Sequence, residues 1–495
     1  MQQVYLAVDI GGSSGRVVAG EFDGRTIALE EVYRFENGGS AANDRMYWDM
    51  LKQWEHIVDG VSAASAKYGE RVVSLGLDTW GVDFGLLGKN DELISNPFHY
   101  RDPQLDGILE WGFERVSREE IFAQTGLQFM EINSLFQLLA LQRRESPILE
   151  FAEHLLMIPD LFNWLLTGVK ANEFTNATTT QLLNPRTGEW ATGLMDQFEL
   201  PAKILGDIAL PGTKLGKLRP SVAKEIGNND LEVVLPGTHD TASAVMAVPS
   251  TESLSNQPNW CYISSGTWSL MGVEVADPII NDQCLALNFT NEGGVGGSVR
   301  VLKNITGLWI VQQCRQAWKE EGRDYSWGEL VDLAAACKPL QSFIDPDHGS
   351  FGNPESMPVA VQQFCGDTMQ PIPETPGEIV RCALESLALK YQSVLGMLES
   401  LTGSAIELVH IVGGGTQNKL LCQMTADACQ RQVVAGPMEA TATGNLLVQL
   451  IANGAVASVA EARQVVKNSF TVDTYTPDVS YDWNEAAERF NDILR

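Results

Sequence analysis

The sequence predicts an α/β protein built from two related domains. Three observations carry this. A strand, a polar glycine turn and a second strand open the chain at Val4–Phe22, and the same order returns at Cys261–Val275. Between them, Val248–Asn259 (VPSTESLSNQPN) is rich in Ser, Pro and Asn, as a boundary would be. Leucine, valine and tyrosine also recur at helical spacing from Val380 to Leu401. The division expected is residues 1–247 and 248–495.

The elements follow in order. Val4 to Ile10 reads as a buried strand, Gly11-Gly12-Ser13-Ser14-Gly15 as a turn and Arg16 to Phe22 as a strand. Asp23-Gly24 is a hairpin turn, and Thr26 to Phe35 is a third strand. A strand followed by a hairpin is not the strand-to-helix unit of a dinucleotide fold. Arg71 to Asp78 is a strand ending in Thr79-Trp80-Gly81, and Val82 to Leu87 is extended. Leu231 to Leu235 is a strand that runs through Pro236-Gly237-Thr238-His239-Asp240 into a helical stretch. In the second half, Cys261–Ile263 and Trp268–Val275 are strands around Ser264-Ser265-Gly266-Thr267. The long amphipathic helix ends before Gly403, a residue suited to a C-terminal cap. Leu408–Val412 is a strand, Gly413-Gly414-Gly415 a turn and Gln417–Cys429 a helix.

Composition narrows the function. The 495 residues carry 34 Lys plus Arg against 63 Asp plus Glu, a net charge of −29, which disfavours nucleic acid and anionic membrane as partners. No apolar run has the roughly 18 residues of a membrane span. No Lys or Arg precedes the short apolar stretch of MQQVYLAVDIGG, so a cytoplasmic protein is expected. Eight cysteines without a C-x-x-C pair support neither a disulfide scaffold nor structural zinc. Cys365 and Cys382 flank a Pro-rich loop and are close enough in sequence to meet.

The first turn has the parts of a phosphate site. Glycine N–H groups at Gly12 and Gly15, the hydroxyls of Ser13 and Ser14, and Arg16 suit phosphate oxygens, and Asp9 suits a Mg²⁺ ion between carboxylate and phosphate. A plain hairpin turn explains the glycines as well. Ser264–Thr267 is a second hydroxyl-bearing turn, and the pair suggests two loops on one phosphate chain. There is no G-x-x-x-x-G-K-[ST] motif. Asp240 follows a strand at a helix start. It reads either as a helix cap or as a carboxylate that takes a proton from a hydroxyl, kept ionised by the helix N-terminus. Thr79-Trp80-Gly81-Val82-Asp83 sets an aromatic ring beside a glycine and an acid, a combination suited to a sugar or to a core turn.

Taken together, VDIGGSSGRVV, GLDTWGVDF, YRD at 100–102, TNATTTQL at 175–182, HDTASAV at 239–245, SSGTWSLMG at 264–272, LKNITGLW at 302–309 and HIVGGGTQN at 410–418 resemble the FGGY carbohydrate kinases. That resemblance spans nearly the whole chain. It implies two RNase H-like domains of the actin, Hsp70 and hexokinase ATPase type, with a cleft between them. It also implies ATP as co-substrate with Mg²⁺ and phosphoryl transfer to O1 of L-rhamnulose, with L-fuculose, xylulose or glycerol as other acceptors. By the same resemblance Gly12, Ser13, Ser14, Gly15 and Arg16 would contact ATP phosphates, and Asp9 would face the metal. Thr267, Gln312 and Gly414 would line the nucleotide site. Gly81, His239, Asp240, Thr241 and Asn304 would contact the sugar, with Asp240 as the base. The tetrapeptide FGGY is itself absent. A non-catalytic ATPase switch of the actin or Hsp70 kind is the competing reading.

Overall fold

The computed structural model describes residues 2–494. The chain forms two compact units, each drawn from three separate segments. Unit one takes the chain through Ser255, then Glu274–Val301 and Ala440–Phe470; unit two takes Asn256–Val273, Leu302–Glu439 and the chain from Thr471 onward.

Unit one is built on a six-stranded sheet. Its strands are β1 (Gln3–Ile10), β2 (Ser14–Phe22), β3 (Ile27–Glu36), β4 (Val72–Thr79), β5 (Lys214–Lys217) and β6 (Glu232–Val234), in the order β5-β6-β4-β1-β2-β3. β1 is parallel to β4 and antiparallel to β2, and β4 is parallel to β6. The near-continuous apolar run of β1 exists because both its faces are covered. Val4, Leu6, Val8 and Ile10 pack into one core with Ile57 and Val61 of the helix Met50–Tyr68. Tyr5 and Ala7, on the other face, pack with Leu446, Leu447 and Leu450 of the helix Ala440–Ala452. That distant helix therefore belongs to unit one because it closes the second face of β1. Each such fully buried aliphatic side chain contributes about 1.5–3 kcal/mol.

In unit two, β7 (Trp260–Ser265) lies antiparallel to β8 (Trp268–Val275) and parallel to β10 (Leu408–Val412); β9 is Val299–Thr306. With β11 (Gln432–Ala435), β12 (Asp473–Tyr475) and the short strand Thr290–Gly293, which lies on the outer side of β9, the sheet has seven strands, the rest in the order β9-β8-β7-β10-β11-β12. The assignment to units changes within β8 and within β9. The expected amphipathic helix runs Pro376–Thr402. A capping box of Thr375 and Glu378 starts it, and Gly403, at φ 66°, stops it.

Two local expectations need correction. Ser14 and Gly15 are not in the first turn but in β2, whose expected start was Arg16. Asp240 is not the helix cap: His239 occupies that position and Asp240 is the first residue of the helix Asp240–Met246. Cys365 and Cys382 are both free and buried. Among the described residues, no helix is long and apolar enough to cross a membrane.

Candidate active site

Three chain segments of unit one end side by side. Asp9 near the end of β1 is the register partner of Asp78 on β4 and of Arg16 on β2. One residue beyond Asp78, Thr79 bridges to His239, and its N–H donates to the Thr238 carbonyl at 2.9 Å. The parallel strands thus deliver Asp9, Asp78 and the His239–Asp240 pair to one edge. Carboxylates gather where parallel strands end, the usual place for a ligand in an α/β sheet.

Arg16 Nη2 and Nε both donate to Asp9 Oδ2, at 2.8 and 3.0 Å. The first turn's cation is therefore already paired with its acid. Gly12 and Ser13 are exposed at the tip, while Gly15 is buried. A Cβ at position 15 would stand 2.1 Å from the Phe35 ring, so packing alone demands glycine there. Asn37 braces the turn, donating through Nδ2 to the Gly11 carbonyl at 2.7 Å.

Asp78 is fully buried. Its Oδ2 accepts from Asn445 Nδ2 at 2.5 Å, and its Oδ1 has no partner. Burial pushes its carboxyl well above the usual range, with the charge of Asp9 adding to the push. An orphaned buried carboxylate oxygen beside a second carboxylate is the donor set a hard divalent cation takes. Asp9 and Asp78 fit such an ion.

Asp240 Oδ1 accepts from the Thr241 N–H at 2.6 Å and from Thr241 Oγ1 at 3.2 Å, and faces His239 Nε2 at 3.4 Å. Among the described residues Oδ2 accepts no hydrogen bond. The side chain is 30% exposed, whereas His239 beside it is 9% exposed. Burial raises the Asp240 carboxyl above its ordinary value, opposed by His239 and reinforced by Asp9, and the helix that it opens has only seven residues.

Gly81 sits in a strained turn. Val82 has φ 66°, costly for a β-branched residue. It is held by Thr179 Oγ1 on its N–H at 2.9 Å and by Ser134 Oγ on its carbonyl at 2.5 Å. A Cβ on Gly81 would meet Thr179 at 3.0 Å. Asp83 below is fully buried and accepts from Trp48 Nε1, Trp80 Nε1 and Gln137 Nε2 at 2.5, 2.9 and 2.7 Å. Burial outweighs these three donors and leaves its pKa at about 7.

In unit two, Thr267 Oγ1 donates to Gln312 Oε1 at 3.1 Å, so two residues expected to serve the nucleotide meet. The Gly307 and Trp309 N–H groups both donate to the Thr267 carbonyl at 3.1 Å. The parallel register of Ser264 with Val412 brings the Ser265–Thr267 turn beside Gly413–Gly415. Nothing lies within 4 Å of a Cβ on Gly414, whereas one on Gly415 would stand 2.0 Å from Ser265 Oγ. Glycine 415 is there for packing, and Gly414 leaves open space. Asn304 lies on β9, in the part assigned to unit two.

Sequence reasoning missed Asp78, Glu292 and Arg300. Asp78 carried a signal, since β4 ends in aspartate as β1 does. The other two carried none: they follow the expected boundary, yet belong to unit one.

Residues 4–247 match the N-terminal domain, and residues 261–453 the C-terminal domain, of the FGGY family of carbohydrate kinases. The chain belongs to that family. The Rhamnulokinase of Bacteroides thetaiotaomicron is 43% identical over 495 residues, covering 100% of both chains. The Rhamnulokinase of Bacillus subtilis is 39% identical, covering 96% of this chain and 95% of that one. Among solved structures, a ligand-bound xylulose kinase from Lactobacillus acidophilus has a TM-score of 0.79 at 16% identity, covering 99% of this chain and 96% of that one. A Plasmodium falciparum glycerol kinase with ADP has a TM-score of 0.76 at 14% identity, covering 100% and 97%.

Proposed function

We propose that this protein is a cytoplasmic kinase that transfers the γ-phosphoryl of ATP to O1 of L-rhamnulose, giving L-rhamnulose 1-phosphate and ADP. The observation that carries the chemistry is Asp240, whose Oδ1 accepts from Thr241 and faces His239 Nε2 at 3.4 Å while Oδ2 is left to accept a proton. The sugar is inferred from the full-length likeness to the two rhamnulokinases.

Asp240 Oδ2 takes the proton of the O1 hydroxyl as O1 attacks the γ-phosphorus. The O1–P bond forms, the bond from the γ-phosphorus to the bridging oxygen breaks, and ADP leaves. Burial raises the basicity of Asp240, which brings it nearer the optimum for proton transfer at neutral pH. Such a reaction needs position and charge neutralisation more than covalent help. Gly12, Ser13, Ser14 and Arg16 are the phosphate contacts of unit one. Thr267, Gln312 and Gly414 serve the nucleotide from unit two. Gly81, His239, Thr241 and Asn304 contact the sugar. Asp9 and Asp78 would hold Mg²⁺, which when bound neutralises phosphate charge.

The test is Asp240→Asn in a coupled ADP-release assay. The asparagine carbonyl keeps the Thr241 bonds, so the protein folds, and turnover falls about 10²–10⁴-fold. Near-normal turnover would remove Asp240 from the chemistry. The wild-type protein is assayed over L-rhamnulose, L-fuculose, L-ribulose, xylulose and glycerol. Preference for another acceptor keeps the kinase and changes the sugar. Slow ATP hydrolysis indifferent to all five returns the ATPase-switch reading.

A further inference from the structure

Behind His239 lies a buried ion pair that the chemistry above leaves unused. Arg300, on β9, has no exposed surface, and Glu292, on the short strand Thr290–Gly293, is 4% exposed. Arg300 Nη2 donates to Glu292 Oε2 at 3.1 Å and lies 3.2 Å from His239 Nδ1, and Arg300 Nε donates to the Gly293 carbonyl at 2.9 Å. Glu292 Oε2 is itself 3.3 Å from His239 Nδ1. Thr290 Oγ1 holds the other carboxylate oxygen at 3.4 Å. The guanidinium thus commits Nε and Nη2 to this network, while Nη1 is buried without a partner.

Burying a charged pair this deeply is expensive, and such pairs commonly stabilise no better than apolar side chains of the same volume. A positional role accounts for it. The pair grips one edge of the imidazole, which fixes the plane of the ring. The opposite nitrogen, Nε2, then faces Asp240 Oδ1 at 3.4 Å. A guanidinium N–H can only donate, so Nδ1 beside Arg300 Nη2 accepts and the ring proton is left to Nε2.

We propose that Arg300 and Glu292 are positioning residues that hold His239 with its Nε2–H on Asp240 Oδ1, so that Oδ2 alone is presented to the substrate hydroxyl. The inference rests on the reading of Asp240 as the base. Its reach is specific: one of the two carboxylate oxygens is kept occupied, and the attacking hydroxyl has one acceptor to align with. Without the pair the ring turns, Oδ1 competes for the hydroxyl, and the proportion of aligned encounters falls. Glu292 is suited to the task, since burial works to raise its carboxyl but the contacts to His239 and Arg300 outweigh it and hold it low, and so ionised.

The experiment has two arms. In the first, histidine-selective ¹⁵N labelling of the intact protein and two-bond ¹H–¹⁵N couplings report the His239 tautomer, with His239→Gln identifying the signal. The proposal expects a proton on Nε2 in the wild-type protein, and faster exchange of that proton in Glu292→Gln. A bare Nε2 overturns it, whatever sugar the enzyme uses. In the second arm, kcat and KM are measured for Glu292→Gln, His239→Gln and the double variant with L-rhamnulose. Misplacement of a reacting group by about 1 Å costs up to about 10²-fold, so Glu292→Gln should lose about 10–100-fold in kcat with the KM for ATP unchanged. The double variant should match His239→Gln within about twofold, because both changes break one arrangement. Multiplied losses, or an unchanged kcat for Glu292→Gln, overturn the proposal. Should Glu292→Gln fail to fold, Arg300→Lys keeps the charge against Glu292 but removes the fork that also reaches His239, and is read in the same cycle. Absence of turnover with any sugar in the wild-type protein refutes the proposed function and leaves the first arm to judge this inference.

Discussion

The same glycine-to-alanine change should have opposite effects at two helical positions, and one of them should reach the base. Gly444 lies in the helix Ala440–Ala452, against the helix that starts at Asp240. A Cβ built on it would stand 1.7 Å from the Ser243 carbonyl oxygen and 2.6 Å from its carbon. Neither atom belongs to a flexible side chain, so the backbones must part by more than about 1 Å to restore contact near the carbon–oxygen optimum. Overpacking of this kind costs about 1–3 kcal/mol, and the gain of about 1 kcal/mol from helix propensity offsets only part of it. Ser243 is in the same short helix as Asp240, so a shift of that helix moves the proposed base, and a displacement of about 1 Å costs up to about 10²-fold in rate. Gly396, exposed on the helix Pro376–Thr402, has nothing within 4 Å of its would-be Cβ. There the propensity gain stands alone, and Gly396→Ala should stabilise by about 0.5–1 kcal/mol without touching turnover. Urea denaturation and kcat on both variants make the measurement. Gly444→Ala with wild-type stability and full turnover would show that the two helices are not held in contact there, and the argument that glycine is required by space would fail.

Two further outcomes follow from charges in unit one. Arg16→Ala should weaken ATP by the roughly 1.5–3 kcal/mol of a charge-assisted bond while leaving sugar affinity intact, and should also free Asp9, whose Oδ2 it holds at 2.8 Å; unaltered nucleotide affinity in titration calorimetry would place Arg16 outside the site. Asp83 has a folded-state pKa of about 7 against an ordinary 3.8. The native state therefore keeps a proton that the unfolded chain has lost, so this group lowers stability as pH rises from about 4 to 7, by at most about 4 kcal/mol at about 1.4 kcal/mol per unit. Denaturant midpoints of wild type and Asp83→Asn across that range should converge or cross; parallel curves would show that Asp83 does not titrate there.

How much of this was legible depended on whether the physics was local. The β1–β2 hairpin, the cap at Gly403 and the strand before Asp240 were readable because each is set by residues within a few positions. The first turn was read too long, since Gly15 looks like a turn residue in sequence but is required by the Phe35 ring on the neighbouring strand. Helix polarity at Asp240 was legible in the sequence, but the upward push of burial on its carboxyl was not, because desolvation is a property of the folded surroundings. Asp78 could have been found by noticing that a second strand ends in aspartate, although its orphaned oxygen could not. Glu292 and Arg300 could not be found at all. Their period-two setting in NEGGVGGSVR says only strand and turn, and they stand beyond the stretch that reads as a boundary. What joins them to His239 is the same kind of long-range closure that brings Ala440–Ala452 to the second face of β1. The carboxylates proposed for the chemistry lie at strand ends, where a pattern betrays them. The residues that orient them are supplied by segments recruited from elsewhere in the chain, and only their packing reveals what they do.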